Sequence, residues 1–140
     1  MSIQDNFYYK PNHSDDLYFF YDWRLCSGEK LNQTINGCFS IFYADGIFLE
    51  SIHTVLSEYD STGIEGCYWY YPDVNSPYPE DVFDGVCFEI GFDDPNTKFY
   101  VTEQISFDYA RKACKRFLEL HPEHSEFLTN ILENWQPLNP

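Results

Sequence analysis

The chain has 140 residues, 44% of them apolar and 20% aromatic, which is enough for one domain with a substantial core and unlike a disordered composition. Eight Lys and Arg stand against 23 Asp and Glu, a formal charge of −15 that argues against binding nucleic acid or anionic membranes through basic residues. Metal cages and disulfide frameworks are disfavoured as well, because the five cysteines (Cys26, Cys38, Cys67, Cys87, Cys114) are odd in number, widely spaced and without a C-x-x-C pair.

In chain order, the polar start Met1-Ser2-Ile3-Gln4-Asp5-Asn6 lacks the cationic region of a secretory leader. The best apolar run, residues 38–43, is too short for a membrane span. Together with reduced thiols this predicts a cytoplasmic protein. The N-terminal third, including residues 17–25, carries no decisive pattern. Residues 45–59 read as an amphipathic helix with Phe48, Leu49, Ile52, Val55 and Leu56 inward and His53 packed near that stripe. The run Cys67-Tyr68-Trp69-Tyr70-Tyr71 reads as a strand that enters a proline-rich loop over residues 72–79.

Residues 86–92 alternate, with Val86, Phe88, Ile90 and Phe92 on one face of a half-buried strand. A turn over 93–97 and a β-forming stretch over 98–105 complete a hairpin. Ser106 is placed to cap a helix whose stripe is Ala110, Ala113, Cys114, Phe117 and Leu118. His121-Pro122 interrupts that helix, and a last one carries Phe127, Leu128, Ile131, Leu132 and Trp135 before Pro137. Strand and helix signals segregate along the chain. The fold class expected is therefore α+β, one domain over residues 1–140, with a mostly antiparallel sheet against helices and a two-helix C-terminus.

The charge is unevenly spread. Residues 1–106 hold four bases against 18 acids, whereas residues 107–140 hold four against five. No Lys or Arg lies between Lys30 and Lys98, a stretch with 12 acids and 13 aromatics, which points to a directed face for a basic partner. Within it the candidate binding residues are Tyr68, Trp69, Tyr70, Tyr71, Asp73, Tyr78, Glu80, Asp81 and Asp84. Tyr and Trp beside carboxylates can stack on and pair with a partner's Arg or Lys. Four consecutive aromatics on a strand must point to both faces, and the prolines restrict the loop before binding. The competing reading has the rings in the core and the loop merely solvated.

Other chemistry is less well supported. His121 and His124, three apart, have no third ligand pattern beside them and read as capping or surface residues. Glu80, Asp81, Asp84, Glu89, Asp93 and Asp94 could supply a catalytic carboxylate pair, but acids are so frequent that their proximity says little. Cys87 and Cys114 lie in apolar patterns typical of inert buried thiols. Neither a nucleophile elbow nor a phosphate-binding glycine loop is present, and no catalytic residue, cofactor or metal is expected.

The segment from Phe83 to about Trp135 resembles immunity proteins of bacterial contact-dependent growth inhibition (CDI) systems, of the ribonuclease-toxin type. The likeness rests on the strand F-D-G-V-C-F-E-I-G-F, the following V-T-E-Q-I-S-F-D-Y-A, and the helix A-C-K-R-F-L-E-L-H-P with its short second helix. It implies a non-enzymatic cytosolic protein forming a 1:1 complex with one cognate toxin nuclease domain, by covering its active site or an adjacent exosite. No inhibitory motif is transferable, so the site residues above come from charge and aromaticity. Two other classes stay open: an acidic DNA mimic that inhibits a DNA-binding or restriction protein, and a small hydrolytic enzyme.

Overall fold

The element that organises the core is the helix α1 (Lys30–Ala44), for which the sequence reading made no provision. The structure is a computed structural model and describes residues 7–11, 29–91 and 94–139. In α1 the buried residues are Thr34, Ile35, Cys38, Phe39, Phe42 and Tyr43, a stripe at helical spacing. The helix ends in paired C-terminal bonds, Gly46 N–H to the Tyr43 carbonyl (3.0 Å) and Ile47 N–H to the Phe42 carbonyl (2.9 Å). Gly46 takes φ +79°, the left-handed value this closure needs.

Asp45 and Gly46 thus terminate one helix and do not begin the next. The helix expected over 45–59 starts at Phe48, as α2 (Phe48–Ile52), and continues as a wider π-turn over His53–Ser57. Its inward set is as expected: Phe48, Leu49, Ile52, Val55 and Leu56 are all buried. His53 is half-buried, packs near Phe7 and Phe127, and has Nδ1 3.4 Å from a Glu58 carboxylate oxygen.

Four strands follow as an antiparallel meander in the order β1 (Thr62–Ile64), β2 (Cys67–Tyr70), β3 (Val86–Ile90) and β4 (Lys98–Val101). The sequence reading contained β2, β3 and β4 but not β1, which is three residues long and contains Gly63. Register places Trp69 opposite Phe88 and Cys67 opposite Ile90 on the face that meets α1, with Tyr68 opposite Glu89 and Tyr70 opposite Cys87 on the other. Phe39 of α1 is the hub of the inner layer, with Trp69 at 5.1 Å, Phe88 at 5.8 Å and Phe48 at 6.2 Å between ring centroids.

β4 stops at Val101, short of the residue 105 expected, because helix α3 (Glu103–Leu120) begins sooner than Ser106 would place it. Thr102, not Ser106, is the N-cap: its backbone is extended and its hydroxyl accepts the Ile105 N–H at 3.1 Å. Ser106 is a buried residue of the first turns. After His121 a 3-10 turn (Pro122–His124) leads into α4 (Ser125–Asn134), the second of the two C-terminal helices. The fold is α+β, as expected from the segregated signals.

Tyr9 ties the segment 7–11 to this core. Its hydroxyl donates to the Tyr43 carbonyl (2.7 Å) and accepts the Phe48 N–H (3.1 Å). Residues 17–25, Cys26, Phe92 and Asp93, on which parts of the sequence reading fell, lie outside the described residues.

Candidate functional site

Alternation along β2 divides the four consecutive aromatics. Trp69 turns inward and has no exposed surface. Its Nε1–H donates to Ser106 Oγ (3.0 Å), and its ring stacks on Phe88 with centroids 5.3 Å apart. The sequence reading put Trp69 among the surface rings. The pleat makes it a core residue that supports the site from beneath. Tyr68 and Tyr70 turn to the opposite, helix-free face, and Tyr71 follows at the strand end with its hydroxyl donating to Glu103 (3.3 Å).

On that outer face, cross-strand pairing brings together residues that the sequence separates. Tyr70 and Tyr100 flank Cys87, and Glu89 pairs with Lys98. The Tyr70 hydroxyl donates to Glu89 (3.0 Å), and Phe83 lies between Tyr100 (4.8 Å) and Tyr70 (5.9 Å). These rings cover the Cys87 thiol, so β3 is buried on both faces along Val86–Glu89 and not half-buried as its alternation suggested. Burial is the main cause that pushes the Cys87 thiol up to about 11, with the Glu89 carboxylate adding and a hydrogen bond to Tyr70 opposing. Burial also pushes the Tyr70 hydroxyl up, so it stays a neutral donor. Lys98 is held above its ordinary value: partial desolvation works against the charge, but the Glu89 carboxylate and the neighbouring Tyr100 outweigh it.

The loop from Pro72 to Gly85 closes on itself beside this face. Asp73 N–H donates to the Asp81 carbonyl (2.8 Å), and Ser76 Oγ donates to Asp81 Oδ2 (2.6 Å). Asn75 N–H donates to Asp73 Oδ1 (3.1 Å), and Tyr78 N–H to Ser76 Oγ (3.1 Å). A 3-10 turn spans Pro79–Asp81. At the loop's exit Gly85 has φ +84°, and a Cβ there would sit 2.1 Å from the Val101 carbonyl oxygen, so only glycine fits. The loop is therefore pre-shaped by its own polar groups and prolines.

Its surface mixes rings, methyls and carboxylates. Val74 (73%), Tyr78 (61%), Val82 (50%) and Tyr100 (49%) are four of the seven large apolar residues exposed among the described residues, so this face concentrates apolar exposure. Asp73, Glu80 and Asp84 are exposed among them and Asp81 is partly so. Of the nine residues singled out from sequence, eight therefore reach the surface at least in part, and Trp69 does not. Val74, Val82 and Phe83, which lie within the candidate segment 68–84 but were not singled out in it, and Tyr100 beyond it share this face. Tyr100 is the exposed residue of β4, between the partly buried Phe99 and the buried Val101.

Two clefts flank the loop. One, about 810 Å³, is lined by Val74, Val82, Phe83, Tyr100 and Glu103 among others. The other, about 470 Å³, is lined by Gly63, Tyr68, Tyr70, Tyr71, Asp73 and Asp81 together with Ser61 and Thr62. Glu103 carries the rim of the first: its two carboxylate oxygens accept the Leu138 N–H (2.6 Å) and the Asn139 N–H (2.9 Å).

Of the remaining described candidates, His121, Glu89 and the cysteines are buried, His124 is partly exposed and Asp94 is exposed. Among the described residues, no group of three or more His, Cys, Asp and Glu is placed to hold a metal ion. His121 caps the end of α3 and is buried, its Nε2 2.9 Å from the Tyr43 hydroxyl and its Nδ1 3.6 Å from Glu123. The four described cysteines are free and buried, and burial pushes Cys114 well above the usual thiol range. No described helix is long and apolar enough to cross a membrane.

The family model described as CDI immunity protein matches residues 31–132, which runs from the first turn of α1 to the last turn of α4 and includes the whole sheet and the loop. No curated protein matches the chain.

Proposed function

The chain belongs to the CDI immunity protein family, whose members neutralise a cognate CDI toxin inside the cell by binding and not by catalysis, and from that premise we propose that its partner is a basic nuclease domain, an RNase, held through the loop face. The interface consists of Tyr68, Tyr70, Tyr71, Asp73, Tyr78, Glu80, Asp81 and Asp84, with Trp69 bracing β2 below them. The 140 residues act in the cytoplasm as one unit, and the complex is a 1:1 heterodimer.

The observation that carries this reading is the composition of the loop surface: exposed Val74, Tyr78 and Val82 interleaved with Asp73, Glu80, Asp81 and Asp84. Nuclease sites hold phosphate with Lys, Arg and His, so a carboxylate-bearing face can occupy or cover them. Opposite fields also raise the association rate, which matters for a toxin that damages the cell until captured. Self-pairing of the same face would set its carboxylates against each other, so a basic partner fits where a second copy does not.

The test is kinetic. The toxin domain of the cognate CDI toxin is purified and its association with this protein is followed by stopped flow across a salt series. Reversing Glu80, Asp81 and Asp84 to Lys is expected to slow association by roughly tenfold or more at low salt and to flatten its salt dependence. Unchanged kinetics would put the interface elsewhere. Degradation of RNA by the free domain, suppressed at one molar equivalent of this protein, is the expected activity readout; a domain without nuclease activity would overturn that part.

A further inference from the structure

Resting on the reading that the loop face meets the toxin, we infer that the smaller cleft is a receptor for one basic side chain of the toxin, a guanidinium by preference. The cleft is a gap in the sheet's outer face created by glycine. A Cβ at Gly63 would lie 2.2 Å from Cδ1 of Tyr68, so glycine alone lets that ring lean across β1. Tyr70 leans the other way, toward Glu89 on β3. The space between is about 470 Å³ and is completed by Tyr71 and by Asp73 and Asp81 from the closed loop.

The chemistry of the lining selects the occupant. Asp73 Oδ1 is taken by the Asn75 N–H and Asp81 Oδ2 by the Ser76 hydroxyl, which leaves Asp73 Oδ2 and Asp81 Oδ1 without a hydrogen bond among the described residues. The lining contains no base, and Lys98 is engaged two strands away with Glu89 and Tyr100. Three tyrosines and two half-engaged carboxylates attract a cation through ring faces and charge-assisted hydrogen bonds together. A phosphate or carboxylate would be repelled. An aliphatic side chain would leave both carboxylates desolvated and unpaired, which is the costlier arrangement. A guanidinium suits the site better than an ammonium because it can stack on a ring while donating in its plane to both oxygens.

The experiment uses the same cognate toxin domain and the variant Asp73→Asn/Asp81→Asn. Asparagine keeps the oxygen that receives Asn75 N–H or the Ser76 hydroxyl, so the loop stays closed, and an unchanged melting temperature checks this. The expected result is a faster dissociation rate and an affinity loss of about tenfold or more, with Tyr68→Leu weakening binding in the same way although it changes no charge. Full affinity in both variants overturns the receptor. Glu80→Lys/Asp84→Lys separates the two levels. If it impairs association while the cleft variants bind normally, the loop interface stands and the cleft does not. If none of the variants changes binding, both readings fail.

Discussion

His121, which the sequence offers as a capping or surface residue, is the C-cap of α3 and is buried. It is enclosed by Tyr9, Tyr43 and Phe117, with Glu123 and His124 the titratable groups beside it. Its pKa lies below the ordinary value, chiefly because burial disfavours the imidazolium, while Glu123 works in the opposite direction. The unfolded chain therefore takes up the proton more readily than the folded one. The stabilising contribution is complete above the unfolded value of about 6.5 and is lost as pH falls from there through the folded value. Urea unfolding between pH 8 and 5 is expected to show stability falling below pH 6.5, with a shallower fall in His121→Gln; parallel curves would contradict the assignment. Trp69 makes the same point at the site itself. Trp69→Phe removes the donor to Ser106 and part of the ring packed on Phe88 and Phe39, and is expected to cost about 1–2 kcal/mol in urea unfolding without touching the binding surface directly.

Among the elements, the loop 72–85 and the C-terminal segment after α4 each contain a contact that one substitution removes. Gly85→Ala forces a side chain into the Val101 carbonyl at a left-handed φ, and a loss of roughly 2–3 kcal/mol or more is expected in chemical denaturation. Behind α4 the chain returns along the molecule: Trp135 stacks on Phe107 (4.2 Å), Tyr59 donates to the Gln136 carbonyl (2.7 Å), and Glu103 receives the Leu138 and Asn139 amides. Glu103→Gln puts an amide N–H against one of those donors. Hydrogen exchange at Leu138 and Asn139 is expected to accelerate by about tenfold, equivalent to ~1.4 kcal/mol, with exchange in β2 and β3 unchanged. The long periodic elements were legible beforehand. Of the expected stripe Ala110, Ala113, Cys114 and Phe117 are buried and Leu118 partly so, and α4 holds its expected apolar positions except Trp135, which is its C-cap. The helix α1 was legible too, in the pairs 34/35, 38/39 and 42/43, but its apolar run was weighed only as a membrane span. β1 was not: three residues around a glycine have no periodicity, and their strand state comes from pairing with β2. The cap of α3 was misplaced because Thr102 and Ser106 both suit the position, and Ser106 is instead committed to Trp69.

For the molecule as a whole, the charge sets two opposed salt effects. With −15 on 140 residues, self-repulsion opposes the compact state, so raising salt from about 20 mM to 0.5 M is expected to increase the melting temperature by a few degrees. The same screening is expected to slow association with a basic toxin domain by roughly tenfold or more. A protein in which both quantities were insensitive to salt would have no directed electrostatic face.

The amino-acid sequence alone determined the chain's own negative charge, the α+β class and the stretch in which acids and rings are interspersed, because these depend on composition and on local periodicity. Only the tertiary structure decided which of four consecutive aromatics face outward, since the pleat assigns faces only after β2 has a helix on one side. It also decided that Tyr100, Phe83 and Gly63 join the surface, because residues as far apart as Tyr70 and Tyr100, on either side of Cys87, are brought together by strand register and not by sequence. The acidic, aromatic stretch is thus a property of the chain, whereas the clefts beside its loop are a property of the sheet.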